Sequence, residues 1–154
     1  MSDIDKRIQE LKIVLPEAAS PVANYVPYVI SGSMLYISGQ LPLDNGRIGV
    51  TGLLGRDVDV AHGQRAAEFC AINILSQVKA ALGGDLSRIK RLVKITGFVA
   101  SAPEFSEHHL VINGASNLLV NILGDAGIHA RAAVGVAGLP FNAAVEIDAI
   151  VEIA

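Results

Sequence analysis

The strictest pattern in this 154-residue sequence is an alternation near its C-terminus, and the pattern allows only an extended conformation. Apolar side chains occupy every second position from Val145 to Ile153, while acidic residues and Ile150 fill the positions between them. A period of two places the apolar set on one face of a β-strand. The segment therefore predicts a half-buried strand, with a core packed against one side of a sheet.

A second strand is expected shortly before this one. Arg131 stands in front of small and apolar residues, including Val134 and Val136, that suit a short buried strand. The intervening residues 138–142 contain Gly and Pro, which are typical of turns. We predict that the two strands pair antiparallel, with Arg131 at the start of one and Glu146 near the start of the other.

The same C-terminal residues resemble the signature of a known family. Arg131, the Leu139-Pro140 pair and Glu146 within Val-Glu-Ile-Asp follow the order and spacing of the RidA family, also called YjgF/YER057c/UK114. The segment at residues 38–42, Ser-Gly-Gln-Leu-Pro, is similar to the family motif Ser-Gly-Gln-Xaa-Pro. The resemblance extends from about Tyr25 to the end of the chain. It implies the chorismate-mutase-like fold of the family and its usual homotrimer.

Hydrophobic periodicity predicts the remaining elements. We expect helices at residues 3–12, 60–82 and 101–123, and strands at residues 25–30, 34–38 and within 86–100. From the first strand, the order strand, strand, helix, strand, helix, strand, strand indicates an α/β sandwich. In this sandwich a mixed sheet carries two main helices on one face. Residues 1–154 are interpreted as a single RidA-like domain, with residues 1–24 as an N-terminal extension and linker.

Both long helices have sequence signals at their ends. Either Asp57 or Asp59 is expected to cap the first, and the glycine pair at residues 83–84 to end it. Residues 101–104, Ser-Ala-Pro-Glu, have the spacing of a capping box that would open the second helix.

The composition favours an oligomer. Charged residues make up 18% of the chain and aromatic residues 5%, without any Trp, so the core must be aliphatic and little charge remains for the surface. Apolar surface left on one subunit would be covered by another copy. We therefore expect a homo-oligomer, and the resemblance makes it a trimer.

Charge and cysteine content argue against several classes of partner. A net charge of −3 gives no attraction to nucleic-acid backbones or to membrane surfaces. The single cysteine, Cys70, excludes an intramolecular disulfide and suits a reducing compartment, so we expect a cytoplasmic protein without a secretory signal. The uncharged residues 18–43 are interrupted by Pro and Gly and are interpreted as strands and turns, not as a membrane span.

Metal and phosphate chemistry have no support in the sequence. The four histidines lack metal-ligand spacing, and no cysteine pair is present, so no metal site is expected. The glycine-rich loop at residues 50–58 lacks the lysine of a P-loop. We interpret Cys70 as a buried, inert thiol, and His129 as an exposed loop residue, although it lies two positions from Arg131.

Arg131 is the strongest candidate for binding a ligand. Its planar guanidinium can hold a carboxylate with two hydrogen bonds, yet an isolated arginine before a strand is ordinarily a surface residue. Glu146 alone would be a solvated strand residue. Gly39 either lets a backbone N–H approach a ligand closely or marks a bulge that bends the strand.

The resemblance assigns roles to these residues. Family members hydrolyse reactive enamines and imines, such as 2-aminoacrylate, to 2-keto acids and ammonia, without a cofactor and at sites between subunits. By resemblance, Arg131 would bind the substrate carboxylate and Glu146 would position or activate water, so both are expected to be catalytic. Five further positions are expected to bind substrate: Tyr25, Ser38, Gly39, Asn113 and Ala133.

One position departs from the family pattern. Many deaminating members have cysteine where this chain has Ala133. An imine deaminase is therefore weighed against a non-catalytic binder of small carboxylates such as 2-keto acids. An RNA-acting protein is a third reading, since family members have carried translation-inhibitor and endoribonuclease labels, and the acidic composition weighs against it.

Overall fold

The computed structural model describes residues 1–21 and 23–154, which form a mixed sheet covered by helices on one face. Short 3-10 turns lie at Leu86–Arg88, Gly124–Gly127 and Pro140–Asn142. The helices are α1 (Asp3–Glu10), α2 (Val60–Ala81) and α3 (His108–Leu123). The strands are β1 (Tyr28–Ser31), β2 (Met34–Gln40), β3 (Leu43–Asp44), β4 (Arg47–Ile48), β5 (Ile89–Ala100), β6 (Ala130–Val136) and β7 (Val145–Ile153).

The five main strands lie in the order β1-β2-β7-β5-β6, while β3 and β4 form a separate small hairpin. Strand β7 is antiparallel to both β2 and β5, and β6 is parallel to β5. Along β7, buried residues alternate strictly with half-buried ones, as its sequence predicts. The α/β sandwich with a mixed sheet and two main helices on one face is confirmed.

The predicted antiparallel pairing of the two C-terminal strands is wrong. Strand β5 lies between β6 and β7 and pairs with both. Helix α3 connects β5 to β6, and strands joined through a crossover helix pair in parallel. Strand β6 therefore forms the edge of the sheet, and its Val134 is 44% exposed where the sequence suggested a buried position.

The predicted start of α2 is confirmed, whereas that of α3 is wrong. The Asp59 carboxylate accepts from the His62 N–H at 2.8 Å and caps α2. Helix α3 begins at His108 instead of Ser101. The Ser101 N–H donates to the Val136 carbonyl, so this residue continues the sheet and cannot begin a helix.

Helices α2 and α3 pack closely on the sheet. A side chain at Gly114 would overlap the backbone carbonyl of Gln64, so a glycine is required where the two helices cross. Helix α1 packs on α3 through buried Ile8, and Arg7 donates to the Ile122 carbonyl at 3.2 Å. Within the described residues, no helix combines the length and apolar character needed to cross a bilayer.

Within the part of the chain that the structure describes, the other face of the sheet, here called the open face, carries no helix. Val29 and Tyr36 lie opposite each other on β1 and β2 and are 51% and 45% exposed. Ile150 continues this row on β7, and Val134 lies on the same face of β6. The open face is therefore partly apolar, as the low charge content led us to expect.

Candidate functional site

Arg131 is held against helix α3 by two hydrogen bonds. Its Nη1 donates to the Ser116 hydroxyl and its Nη2 to the His109 carbonyl, both at 3.1 Å. Arg131 is paired with buried Ile95 across the parallel ladder, so its side chain leaves the sheet on the helix side. These contacts use two of the five N–H donors of a guanidinium and orient the rest.

Ser116 and His129 form a second layer behind this guanidinium. The Ser116 hydroxyl lies 2.9 Å from His129 Nε2, and His129 Nδ1 lies 2.6 Å from the Gly127 carbonyl. Because a carbonyl only accepts, Nδ1 carries a proton, and in the neutral ring Nε2 accepts from the serine hydroxyl. Arg131, Ser116 and His129, here called the arginine cluster, are thus connected in one hydrogen-bonded series.

The sequence interpretation missed two members of this cluster. His129 is half-buried and hydrogen-bonded, so the expectation of an exposed loop histidine is wrong. Ser116 carries no motif of its own, and the signal that places it here is its helical spacing, seven positions after His109 and therefore on the same side of α3. Asn113 lies between them at helical spacing, which places this predicted site residue on the side of α3 that Arg131 contacts.

The backbone of Ala133 faces outward from the edge of the sheet. The Val136 carbonyl accepts from Ser101, so the polar groups of Val136 face β5. Backbone groups of successive strand residues point to opposite sides, and Ala133 therefore directs its N–H away from β5. Its methyl group packs against the core on the helix side. The Ala133 N–H is thus directed to the same edge that carries Arg131.

Tyr25, Ser38 and Gly39 lie elsewhere, along a cavity of about 380 Å³ at the other end of the sheet. The pairing of β2 with β7 shifts between Ile37 and Gln40, so Ser38 and Gly39 together oppose one residue of β7. This is the bulge that the sequence allowed. The Ser38 hydroxyl donates to the Val26 carbonyl at 2.8 Å and stabilises the bulge.

Glu146 lies directly beside this bulge. A Cβ at position 39 would be 2.8 Å from Glu146 Oε2, so a side chain there would displace the carboxylate from this position. Partial burial raises the pKa of Glu146 above its ordinary value of 4.5, and the nearby Asp148 carboxylate raises it further. A carboxyl group of this kind can exchange protons closer to neutral pH, as general acid-base chemistry requires.

The two groups of candidate residues are not brought together within one chain. Glu146 is aligned with Phe98 on β5 and with Val134 on β6, whereas Arg131 precedes Val134 by three residues on β6. Arg131 and Glu146 are therefore two strand spacings apart across the sheet and three residues apart along the strands, roughly 10 Å in each of these directions. An odd offset also reverses the face, so Arg131 leaves on the helix side and Glu146 on the open face.

Neither the metal-ligating side chains of the described residues nor the Cys70 thiol offers a further reactive site. Among the described residues, no three His, Cys, Asp or Glu side chains lie close enough together to hold a metal ion. Cys70 is fully buried, its Sγ lies 3.7 Å from the Val145 carbonyl, and burial raises the pKa of its thiol well above the ordinary value. The interpretation of Cys70 as an inert buried thiol is confirmed.

Known proteins match nearly the whole chain. A family model described as YjgF/chorismate mutase-like, which also carries an endoribonuclease label, matches residues 5–153. Protein TCP17 of Trypanosoma cruzi is 53% identical over 147 residues, covering 95% of this chain and 91% of that protein.

Two solved structures extend the comparison. The crystal structure of Atu1372, a protein of unknown function from Agrobacterium tumefaciens, is 67% identical, with a TM-score of 0.93 over 99% of this chain and 93% of that one. The structure of TdcF from E. coli with bound serine is 26% identical, with a TM-score of 0.63 over 90% of this chain and 94% of that one. The second match has the same fold, with larger differences in detail.

Proposed function

Since this chain belongs to the YjgF/RidA family, we propose that it hydrolyses reactive enamines and imines of the 2-aminoacrylate type to 2-keto acids and ammonia. The observation that carries the proposal is the restrained guanidinium of Arg131. Its two hydrogen bonds to α3 fix the plane of the fork. The remaining donors can bind a substrate carboxylate with two parallel hydrogen bonds.

Arg131 and Glu146 would divide the hydrolysis of the imine between substrate binding and proton transfer. Arg131 binds the carboxylate, and the outward N–H of Ala133 supports the same group. Glu146, as a carboxylate, takes a proton from water while the water oxygen attacks the imine carbon. Attack on the protonated imine gives a neutral amino alcohol, and Glu146 returns its proton to the nitrogen of this intermediate. As the carbon–nitrogen bond breaks, the Glu146 carboxylate takes the hydroxyl proton, and a 2-keto acid and ammonia leave. The raised pKa of Glu146 brings these proton transfers closer to neutral pH.

We propose that two copies of the chain build each site. Arg131 and Glu146 lie on opposite faces of the sheet, so one copy alone cannot offer both to a small substrate. One copy would supply Arg131, Asn113 and Ala133 at its β6 edge, and the next would supply Tyr25, Ser38, Gly39 and Glu146. A homotrimer with sites between subunits satisfies this requirement and covers the apolar open face.

A non-catalytic binder of small carboxylates remains the second candidate because of Ala133. This position offers a backbone N–H but no thiol, so it can contribute to holding a ligand without contributing to proton transfer. A relative, TdcF, has been solved with bound serine, which shows that a protein of this fold accommodates a small amino acid. A binder of 2-keto acids would need the arginine cluster and not Glu146.

The deciding experiment supplies imines directly. An L-amino acid oxidase generates the imine, semicarbazide traps what remains, and the protein competes with the trap. We expect trapping to fall in proportion to protein concentration. Trapping equal to the protein-free control would reject the deaminase, and calorimetric titration with 2-keto acids would then test the binder. We place either activity in the cytoplasm, in keeping with the single buried thiol.

A further inference from the structure

The cavity beside Gly39 has walls that lie outside the family motifs. One wall is the segment at residues 19–21, here called the strap, from the N-terminal part of the chain. Apolar side chains of the β3–β4 hairpin and of the turn before β7 also line the cavity. These apolar residues are Leu43, Ile48 and Phe141. The cavity therefore continues from the bulge at Gly39 into a largely apolar chamber.

A buried hydrogen bond holds the strap in place. Gln77 of α2 is 1% exposed, and its Nε2 donates to the Ala19 carbonyl at 2.7 Å. Among the described residues, its Oε1 has no hydrogen-bond partner. Burying a glutamine amide with one group unsatisfied costs free energy, so an apolar residue would be the ordinary choice for the core. The polar side chain here tethers the strap as a wall of the cavity.

Phe141 is presented at the mouth of the same cavity. Its backbone has a φ of 58°, a left-handed conformation that is strained for an aromatic residue. Three backbone hydrogen bonds hold the turn: from Gly52 to the Asn142 carbonyl, from Asn142 to the Leu139 carbonyl, and from Ala143 to the Pro140 carbonyl. The ring is 75% exposed although it lines the cavity, so its apolar face is available to a ligand.

We propose that this chamber is a side-chain subsite for 2-imino acids with bulky apolar side chains, such as those derived from leucine, methionine and phenylalanine. The inference rests on the proposed function, because Gly39 lines the chamber and lies beside the carboxylate of Glu146. A volume of about 380 Å³ is within the range of roughly 300–1,000 Å³ for sites that hold larger ligands. A three-carbon imine would leave most of this chamber unfilled.

The test compares imines made by the same oxidase from leucine, phenylalanine and alanine. Each additional buried methylene favours the larger substrate, so kcat/KM for the leucine and phenylalanine imines should exceed that for the alanine imine by roughly tenfold or more. Equal efficiency for the three imines would overturn the subsite. A chamber occupied by a neighbouring subunit would give that same equality.

Phe141→Ala and Ile128→Ala form a matched pair of variants. Both remove a large exposed apolar side chain, but Ile128, at 55% exposure, does not line the cavity. Phe141→Ala should reduce the ratio of kcat/KM for bulky imines to that for the alanine imine several-fold, while Ile128→Ala should leave this ratio unchanged. An unaltered preference in Phe141→Ala would contradict the proposal.

Failure of the proposed function can be distinguished from failure of the subsite. If no imine is hydrolysed above the uncatalysed rate, calorimetry compares 4-methyl-2-oxopentanoate and phenylpyruvate with pyruvate. Tighter binding of the bulky acids, lost in Phe141→Ala, would support the subsite without catalysis. Equal affinity for the three acids, or no binding of any, would overturn it.

Discussion

At the scale of single residues, Arg131→Lys tests whether the site needs only a positive charge or the planar guanidinium with its paired N–H donors. Lysine keeps the positive charge but cannot bond Ser116, the His109 carbonyl and a carboxylate in one plane. We expect a loss of about 1.5–3 kcal/mol, or roughly ten- to more than a hundredfold, in kcat/KM or in 2-keto acid affinity. The thermal midpoint should hardly change, because this side chain lies at the edge of the core.

The matched control for this substitution is Arg91→Lys. Arg91 is an exposed arginine on neighbouring β5, and its Nη2 donates to the Ile128 carbonyl at 3.3 Å. This variant should retain wild-type activity and affinity. Wild-type values in Arg131→Lys as well would remove Arg131 from the site and leave it as a structural contact of α3.

The raised pKa of Glu146 predicts how kcat/KM should depend on pH. Its raised pKa means that the base form, and with it kcat/KM, should increase as the pH rises through a midpoint above 4.5. Glu146→Gln should lose most activity, and the increase of kcat/KM on the acidic side of the pH profile, here called the acidic limb, should be lost with it. Asp148→Asn should shift the limb to lower pH, because the Asp148 carboxylate contributes to the raised pKa. An acidic limb that persists in Glu146→Gln would assign the titration to another group.

The same shift has a consequence for stability. Between 4.5 and the raised pKa, the folded chain binds more protons at Glu146 than the unfolded chain. The wild type should therefore lose stability relative to Glu146→Gln as the pH rises through this window, and below it the difference between the two proteins should not depend on pH. Urea unfolding of both proteins below 4.5 and near neutrality would measure the change.

At the scale of elements, α2 positions the strap through a single side chain. Gln77→Leu has a similar shape but no donor for the Ala19 carbonyl, and it also removes the unsatisfied Oε1. The two effects on folding oppose each other, so the free energy of unfolding should change by no more than about 1 kcal/mol. The KM for bulky imines should rise several-fold, while kinetics with the alanine imine should be unaltered.

Gln64→Leu is the control on the same helix. Gln64 also donates to a backbone carbonyl, that of Leu110 at 2.9 Å, but this contact lies between α2 and α3. Its loss should affect stability and not the ratio of KM values. An equal rise in KM for small and bulky imines in Gln77→Leu would indicate general disruption of the fold.

At the scale of the whole molecule, the separation of Arg131 from Glu146 predicts an oligomer. Sedimentation equilibrium at micromolar concentration should give about three times the chain mass of 16.1 kDa. The apolar open face and the edge strand β6 are the surfaces available for the contact. A monomer under these conditions would contradict both the trimer and the shared site.

Subunit mixing tests the shared site directly. Arg131→Ala and Glu146→Gln should each be inactive as homo-oligomers. After denaturation and refolding together, roughly a quarter of the sites in a random mixture should combine both native residues and recover activity. Absence of recovery in oligomers of the expected mass would place both residues in the site of a single subunit.

The sequence alone determined the features that depend on neighbouring residues. Strict alternation predicted which side chains of β7 are buried, and Asp59 predicted the start of α2. The spacing around Arg131, Gly39 and Glu146 indicated the family because it is a local motif. These features follow from backbone geometry over a few residues, which is encoded in periods of two and of 3.6.

Only the tertiary structure decided which elements are neighbours. Periodicity indicates the face that a strand buries but not the strand beside it, so the insertion of β5 between β6 and β7 was not predicted. The Ser101 N–H donates to a strand carbonyl because Val136, which is distant in sequence, lies beside it in the folded chain. Ser116 and His129 reach Arg131 only after α3 folds back over β6, since contacts between distant segments depend on packing and chain crossing, which leave no local pattern.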